Sequence, residues 1–271
     1  MSEAKPMATA RPAATVLLLR DGAAGPEIFL VVRHREIEFA AGALVFPGGR
    51  VEPADAEIAA GVCANDPFGA FRVAAVRETF EECGLLLART PGGVALDPAQ
   101  GAAVAAAHRD ALNAGSQGFA ALLRAEGLVP DVGALVHFAH WVTPSDLPKR
   151  FDTHFFLAPA PPGHAAAHDG REAVDSIWIS PAQALAEADA GQHTLLFPTR
   201  MNLARLAPAA SLGEALATAA ARPVVTVQPQ LETDAEGRKV LRIPVEAGYG
   251  GPIFPAGIRA MVPTVRTPTK P

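Results

Sequence analysis

The order of its segments predicts that this chain folds as a mixed α/β domain. Apolar, strand-like runs come first, one long segment of helical composition follows, and further strands and helices complete the chain. A regular parallel array would alternate strands and helices from the start, so this order favours a mixed sheet. With 271 residues, of which 49% are hydrophobic and 19% charged, the chain can bury a substantial core.

The N-terminal part predicts a β-hairpin followed by a short strand. Residues 14–19 and 27–33 are apolar runs separated by a loop rich in glycine and proline, as in two paired strands. A third run, residues 44–46, ends at Pro47 because this proline and the two glycines after it force the backbone out of the strand.

Residues 69–83 predict the central helix. Beyond its first residue the segment contains neither proline nor glycine and is rich in alanine and glutamate. It ends at Gly84, which suits the left-handed residue that follows a helix. Residues 85–88 are a candidate strand that leaves this helix.

The second half predicts alternating strands and helices. An alanine-rich stretch at 98–126 predicts one or two helices, interrupted near Gly115 and Gly118, that form an insertion or lid. Prolines suit the first turn of two later helices. The remaining predictions are strands at 134–142, 151–158 and 177–179, helices at 181–190 and 198–206, and a late hairpin of 224–227 with 240–244.

The ends of the chain are rich in proline and lack apolar periodicity. We therefore expect a flexible lead at 1–13, a single domain at 14–260 and a flexible tail at 261–271. The apolar runs are far shorter than the roughly 20 residues that cross a bilayer, and the start lacks the apolar core of a signal peptide. These features predict neither a membrane span nor export.

Charge and cysteine content narrow the class of protein further. A net charge of −5 argues against a nucleic-acid partner, because an anionic ligand would need a local cationic patch or a metal ion. Cys63 and Cys83 cannot form a disulfide framework and lack a metal-type Cys-x-x-Cys spacing. A reducing cytoplasm is the expected compartment.

Three glutamates crowd one side of the predicted central helix, because Glu81 and Glu82 follow Glu78 at i+3 and i+4. On a solvated face this crowding costs about 0.2–0.5 kcal/mol per pair. In a cleft, at about 4 Å and an effective dielectric near 20, the repulsion reaches about 4 kcal/mol. Arg77 can offset one carboxylate, whereas Mg²⁺ or Mn²⁺ accepts several hard oxygen ligands. The pattern alone leaves both a solvated acidic face and a metal site open.

Together with Gly48 and Gly49, this helix resembles the signature of the Nudix hydrolases. That signature is a glycine, five residues, a glutamate, seven residues and then Arg-Glu-U-x-Glu-Glu-x-Gly-U, where U is a bulky apolar residue. Residues 77–85, RETFEECGL, fit except for Thr79 at the first apolar position. Asp55 stands at the first acidic position, and an insertion over about residues 56–69 is expected to form a loop.

Upstream residues are similar to the coenzyme A diphosphatase branch of that family. The branch carries Arg-Ser-x3-Arg-x3-Gly-x3-Phe-Pro-Gly-Gly, and Arg33, Gly42 and residues 46–49 occupy matching places. His34 and Glu38 replace the serine and the second arginine. The insertion and residues 140–158 look most like the peroxisomal-type members of the branch and their bacterial relatives.

The resemblance implies a Nudix-like α/β/α sandwich with a mixed β-sheet and additional helices, and it implies a role for each matching residue. Mg²⁺ or Mn²⁺ would be the cofactor, Glu78 would be a further ligand or the base that deprotonates water, and Arg77 would hold the carboxylates in place. The implied metal ligands are Gly49 through its carbonyl, Glu78, Glu81, Glu82 and Glu172, with Asp175 as the second choice for the last position. The implied substrate-binding residues are Arg33, Arg35, Phe46, Gly48 and Arg150.

The activity implied is metal-dependent hydrolysis of a diphosphate linkage in a nucleoside diphosphate derivative, with coenzyme A or acyl-coenzyme A as the leading substrate. The implied partners are this small-molecule nucleotide and, as among relatives, a second copy of the chain in a homodimer. Two alternatives stay open: a nucleotide-binding sensor that does not hydrolyse its ligand, and a hydrolase for another nucleotide such as NADH or ADP-ribose.

Overall fold

The computed structural model describes residues 8–33, 42–164, 166 and 173–256, and it confirms the predicted α/β class. None of the helices in these ranges is long and apolar enough to cross a membrane. The strands are β1 Arg11–Gly22, β2 Gly25–Arg33, β3 Ala43–Val45, β4 Gly48–Arg50, β5 Ala88–Arg89, β6 Val129–Pro130, β7 Val136–Val142, β8 Phe151–Pro159, β9 Ala173–Ile179, β10 Thr194–Leu195, β11 Thr226–Val227, β12 Gln230–Thr233, β13 Lys239–Arg242 and β14 Ile253–Pro255. The helices are α1 Pro53–Val62, α2 Gly69–Cys83, α3 Pro98–Asn113, α4 Phe119–Glu126, α5 Pro181–Asp189, α6 Phe197–Leu206 and α7 Leu212–Ala220.

A mixed sheet of nine strands, counted over the described ranges, forms the centre of the fold. Its order is β10-β3-β2-β1-β8-β7-β11, with β4 paired to β1 and β9 paired to β2. The predicted hairpin of β1 and β2 is confirmed, since the strands run antiparallel up to the pair Gly22 and Gly25. β1 also runs parallel to β8, so the first strand of the chain lies in the middle of the sheet.

Helices cover both faces of this sheet, which makes the fold an α/β/α sandwich. Because side chains alternate along a strand, Val16 and Leu18 of β1 pack with α2, α3 and α4, while Leu17 and Leu19 pack with α5, α6 and α7. The predicted central helix is confirmed as α2, and Gly84 follows it at φ +70°. The predicted segment 98–126 forms two helices, α3 and α4.

The insertion at about 56–69 was expected to be a loop, and this expectation is wrong for residues 56–62, which are helical, whereas residues 63–68 lie between two helices. α1 occupies Pro53–Val62, with proline in its first turn and the Asp55 carboxylate accepting a hydrogen bond from the Glu52 amide at 2.8 Å. A Cβ on Gly69 would lie 3.2 Å from Cβ of Ala59, so the two helices approach closely. A hydrogen-bonded helix start and a close helix contact therefore order this segment.

Several strand boundaries also differ from the sequence expectations. The glycines after Pro47 form β4 beside β1 instead of a plain turn, and strand structure after α2 is limited to β5. The predicted flexible lead at 1–13 is too long, because β1 already begins at Arg11. In the late hairpin, β13 pairs with β12 and β14, whereas β11 joins β7 in parallel. The predicted tail lies outside the described residues.

Candidate active site

The three glutamates predicted from the sequence line one cleft at the C-terminal half of α2. The spacing of α2 turns Glu78, Glu81 and Glu82 toward the same side, while Val76 and Phe80 point into the core. The opposite wall of the cleft comes from the end of α3, the start of α4 and the loop between them. The helical insertion formed by α3 and α4 (residues 98–126) thus completes this cleft, which we name the acidic cleft.

The Gly48-Gly49 segment lies directly against these carboxylates. The Gly48 amide donates a hydrogen bond to Oε2 of Glu82 at 3.0 Å. At Gly49 the approach is so close that an added Cβ would lie 2.6 Å from Oε2 of Glu78. Glycine is therefore required at position 49 if Glu78 is to keep its place, and β4 holds the segment there by pairing with β1.

Arg77 ties this acidic cleft to the rest of the fold. Its Nε and Nη2 donate to the two oxygens of Asp55, each at 3.0 Å, and its Nη1 donates to Glu78 at 2.9 Å and to Glu81 at 3.1 Å. Nη2 also donates to the Arg50 carbonyl at 2.8 Å. The Arg77 and Asp55 side chains are 5% and 1% exposed, so this forked pair is buried.

The charges in the acidic cleft act on one another across a partly desolvated space. Burial opposes the charge of Arg77, but its hydrogen bonds to Asp55 and the carboxylates of Glu78, Asp55 and Glu81 outweigh burial and raise the pKa of the guanidinium. Burial raises the pKa of Glu81, and Arg77 counters only part of that rise. A bound cation would relieve this cost of holding Glu81 ionised.

Helix α3 fixes the end of α2 through main-chain contacts. Arg109 Nε donates to the Glu81 carbonyl at 3.0 Å, and Asn113 Nδ2 donates to the same oxygen at 3.2 Å. This carbonyl lies in the last turn of α2, where helical partners are missing. The position of Glu81 therefore depends on the helical insertion as well as on α2 itself.

A second, mostly apolar cavity of about 170 Å³ begins on the other side of Gly48. Phe46 and Gly48, both predicted to bind substrate, belong to its lining. Further lining residues come from β7, β8 and α6 and include Trp141, Phe155 and Thr199. Gly48 therefore separates an acidic cleft from an apolar cavity.

The other predicted site residues have different outcomes. Arg33 ends β2, whereas Arg35 and Glu172 lie outside the described residues. Asp175 is exposed on β9, where its carboxylate accepts from the Ser176 amide at 2.7 Å, and it is not part of the described lining of the acidic cleft. Arg150 donates to the carbonyls of Thr143 at 3.1 Å and Ala8 at 2.7 Å, so its guanidinium holds the start of β1. Substrate binding by Arg33, Arg35 and Arg150 stays a prediction.

The role of Asp55 was missed at the sequence level. Its place at the first acidic position of the signature was a usable signal, but the expected loop after it gave no reason to place its carboxylate against Arg77. The structure provides that reason, because α1 buries Asp55 beside the guanidinium.

The chain is similar in sequence to known proteins. A family model described as the NUDT19 Nudix domain matches residues 62–206. The acyl-coenzyme A diphosphatase NUDT19 of Homo sapiens is 35% identical over 156 residues, which cover 54% of this chain and 41% of the human protein. The Gallus gallus protein of the same name is 29% identical over 240 residues, covering 69% of this chain and 63% of that protein. The match thus spans about two fifths of the human protein and less than two thirds of the Gallus gallus protein.

A solved structure extends the similarity to three dimensions. The NUDIX hydrolase from Alicyclobacillus acidocaldarius superimposes with a TM-score of 0.65 at 33% sequence identity. The match covers 80% of this chain and 100% of that chain. The fold described above is therefore shared, over four fifths of this chain, with a solved protein.

Proposed function

This chain belongs to the Nudix hydrolase family of the NUDT19 type, and from that premise we propose that it hydrolyses the diphosphate linkage of a coenzyme A derivative. The observation that carries the proposal is the cleft in which Glu78, Glu81 and Glu82 lie beside the Gly48-Gly49 segment. Three carboxylates on one side of a helix support hydrolysis over binding alone, since a sensor has no need of a metal cluster.

The donor set fits Mg²⁺ or Mn²⁺. Three carboxylates line one cleft, and the missing Cβ of Gly49 leaves the space that the Glu78 carboxylate occupies. Hard oxygen ligands of this kind suit both ions. Glu81, Glu82 and the Gly49 carbonyl would hold the cations, with Glu172 as a further predicted ligand. When bound, the cations would neutralise phosphate charge and lower the pKa of coordinated water.

The side chains of the cleft then have separate tasks. Glu78 accepts the proton of the attacking water, the water oxygen bonds to one phosphorus, and the bridging P–O bond breaks. Diphosphate hydrolysis depends mainly on positioning and electrostatics, so a fixed base matters more than a strong one. Arg77 provides that positioning, because its Nε is held by Asp55 while its Nη1 donates hydrogen bonds to Glu78 and Glu81.

The apolar cavity beside Gly48 supports an acyl-coenzyme A as the preferred substrate. Phe46, Trp141 and Phe155 offer apolar walls to an acyl-pantetheine arm, while the diphosphate reaches the carboxylates across Gly48. The names of the NUDT19 relatives agree with this choice of substrate. Hydrolysis would release an acyl-phosphopantetheine and adenosine 3′,5′-bisphosphate.

The decisive experiment is a substrate panel with product identification by mass. Coenzyme A, an acyl-coenzyme A, NADH, ADP-ribose and a diadenosine polyphosphate are each incubated with the protein and Mg²⁺ or Mn²⁺. We expect the acyl-coenzyme A products to dominate. Product release from NADH or ADP-ribose alone would point to another nucleotide, and no release from any compound would favour the sensor.

A matched pair of variants assigns the activity to the cleft. Glu81→Gln keeps the size of the side chain and removes a ligand charge, so we expect at least about a 100-fold loss, above the range typical of residues outside the ligand set. Glu57→Gln is the control, because Glu57 is exposed on α1 and is not part of the described lining of the cleft. Equal activity of both variants would contradict the proposal.

The proposal includes a cytoplasmic location and a homodimer. A content of two cysteines, Cys63 and Cys83, in 271 residues supports a reducing compartment, because disulfide-stabilised secreted chains are richer in cysteine. The dimer is testable by light scattering during size-exclusion chromatography.

A further inference from the structure

A second group of ligand-type side chains lies on β7 and β8, apart from the acidic cleft. It consists of His140, Asp152 and His154, whose ligand atoms all lie within 4.8 Å of one another. His140 Nε2 is 2.5 Å from Oδ1 of Asp152, and His154 Nε2 is 3.9 Å from the same oxygen. The imidazole rings of the two histidines stack with their centroids 4.0 Å apart. We name this group the histidine cluster.

The sheet geometry explains why these residues meet. Asp152 and His154 are two positions apart in β8 and therefore point to the same face. His140 is directly opposite His154 in the antiparallel register. An irregularity in the register of β7 between His137 and Ala139 also brings His137 to this face.

Outer hydrogen bonds orient both imidazoles of the histidine cluster. His140 Nδ1 lies 2.9 Å from Oγ1 of Thr226, and His154 Nδ1 lies 2.9 Å from Nε2 of His137. In the structure Nε2–H of His140 donates to the Asp152 carboxylate, and a bound metal ion would replace this proton while each Nδ1 donates to its outer partner. A ligand histidine whose other nitrogen is held in this way is the usual arrangement in protein metal sites.

The charge state of the histidine cluster also suits a cation. The His154 side chain is 8% exposed and packs against the rings of Phe68 and Phe71, so burial favours its neutral imidazole over the charged form. Arg72 is a nearby cation, but its Nε forms an ion pair with Asp66 at 2.6 Å. Neutral imidazoles and one carboxylate are the ligands that Zn²⁺ binds in sites with an open fourth position.

We propose that His140, Asp152 and His154 bind one divalent transition-metal ion, with Zn²⁺ as the reference ion, at a site separate from the acidic cleft. Across the sheet, Gly49 pairs with Ala14 and Ala14 pairs with His154, so His154 lies two strands from Gly49, or about 10 Å at the usual strand spacing. The Asp152 side chain is 38% exposed and gives an ion a path from solvent, whereas that of His154 is 8% exposed.

The test is Zn²⁺ binding to protein stripped with a chelator, measured by titration calorimetry and by metal analysis after gel filtration. We expect one equivalent of Zn²⁺ in Glu81→Gln, which weakens cation binding in the acidic cleft and so isolates the site, and at least one equivalent in the unaltered protein. We expect loss of that equivalent in His140→Gln and in Asp152→Asn. His193→Gln is the control, because His193 pairs with Glu187 at 3.1 Å outside the cluster and should leave binding unchanged.

Two results would overturn the proposal of a metal site at the histidine cluster. One is undiminished Zn²⁺ binding by correctly folded His140→Gln and Asp152→Asn, with folding checked by circular dichroism. The other is X-ray absorption of the Zn²⁺-loaded, unaltered protein without imidazole scattering, a readout that does not depend on how the variants fold. Since hydrolysis is not measured in either experiment, failure of the diphosphatase proposal leaves this test intact.

Discussion

At the scale of single residues, Gly49 and Glu78 show how the absence of a side chain builds the acidic cleft. The Glu78 carboxylate occupies the space in which any other residue at position 49 would place its Cβ. Carboxylates in a site of this kind must be held to within a fraction of an ångström, because a displacement of about 1 Å can cost about 100-fold in rate.

We therefore predict that Gly49→Ala lowers the rate of diphosphate hydrolysis by about 100-fold while the protein stays folded. Steady-state kinetics and a thermal unfolding midpoint measure the two effects separately. Gly61→Ala is the control, since a Cβ at this position of α1 meets nothing within 4 Å. We expect it to keep full activity and to add about 0.4–1 kcal/mol of stability. A fully active Gly49→Ala would show that Glu78 does not need this position.

The residues of α2 were predictable because they lie in one continuous segment. Arg77, Glu78, Glu81 and Glu82 share a helix whose period is known, so their common face follows from spacing alone. The histidine cluster was not predictable in this way. Its members lie on two strands, and only the antiparallel register that sets His140 opposite His154 brings them together.

At the scale of elements, a histidine whose charge depends on pH joins the two helices α3 and α4. His108 on α3 contacts Glu126 at the end of α4 at 2.6 Å and Gln117 in the loop between them at 3.0 Å. These hydrogen bonds, to Glu126 first, raise the pKa of His108. The folded state thus binds a proton more tightly than the unfolded chain does.

The sign of the pH effect follows from this raised pKa. The stabilisation is complete below the unfolded value of about 6.5 and is lost as the pH rises through the higher folded value. We predict that His108→Gln destabilises the protein by up to about 1 kcal/mol at about pH 5.5 and by less at about pH 8.5. Urea unfolding of both proteins across this range measures the difference.

Glu126→Gln is the matched control for this histidine, because it removes the charge that favours protonation. In that background the effect of His108→Gln should depend much less on pH, because Gln117 alone is left to favour the protonated ring. A penalty that grows with rising pH would have the wrong sign for a raised pKa and would reject the explanation.

Helices and strands were predictable where local sequence signals alone set their bounds, and not where contacts with distant segments set them. The helix α2 ends at a glycine that adopts the left-handed conformation its composition favours. α1 was expected to be a loop because it interrupts the family signature, although its proline start and the acceptor Asp55 are helix signals. α7 was not predicted at all, although Ser211 caps it by accepting from the Glu214 amide at 3.2 Å.

At the scale of the whole molecule, the sheet joins segments that are distant in sequence. No local pattern shows that β1 lies between β2 and β8, or that β11 extends the sheet beside β7. The late hairpin illustrates the limit: its two apolar runs were recognised, but one belongs to the central sheet and the other to a sheet of β12, β13 and β14. Where several strands are equally hydrophobic, the packing of the complete fold decides which of them pair.

This C-terminal sheet of three strands follows the part of the chain that matches the family model, yet it packs on the central core. Phe254 of β14 lies against Phe197 of α6, with ring centroids 5.5 Å apart. The Tyr249 hydroxyl donates to Oδ1 of Asn202 at 2.7 Å and accepts from Nε1 of Trp141 at 3.2 Å. Asn202 is fully buried, so its oxygen depends on this contact.

We predict that the C-terminal sheet and the central sheet unfold together, as a single domain over residues 14–260 requires. Tyr249→Phe leaves Trp141 Nε1 and Asn202 Oδ1 without their shared partner and should lower the free energy of unfolding by about 1–3 kcal/mol. Urea titrations followed by tryptophan fluorescence should show one transition at a lower midpoint. Leu231→Thr, at a side chain that is 55% exposed on β12, should change stability by less than about 0.5 kcal/mol.

Hydrogen exchange in urea separates the joint unfolding from an independent C-terminal unit. Amides of β13, including Leu241, should lose protection with the same urea dependence as amides of β1, in the unaltered protein and in Tyr249→Phe. If β13 exchanges well before β1 while tryptophan fluorescence stays native, the C-terminal sheet is a separate unit. In that case the hydroxyl of Tyr249 would be a contact between two domains, and the single-domain prediction would be wrong.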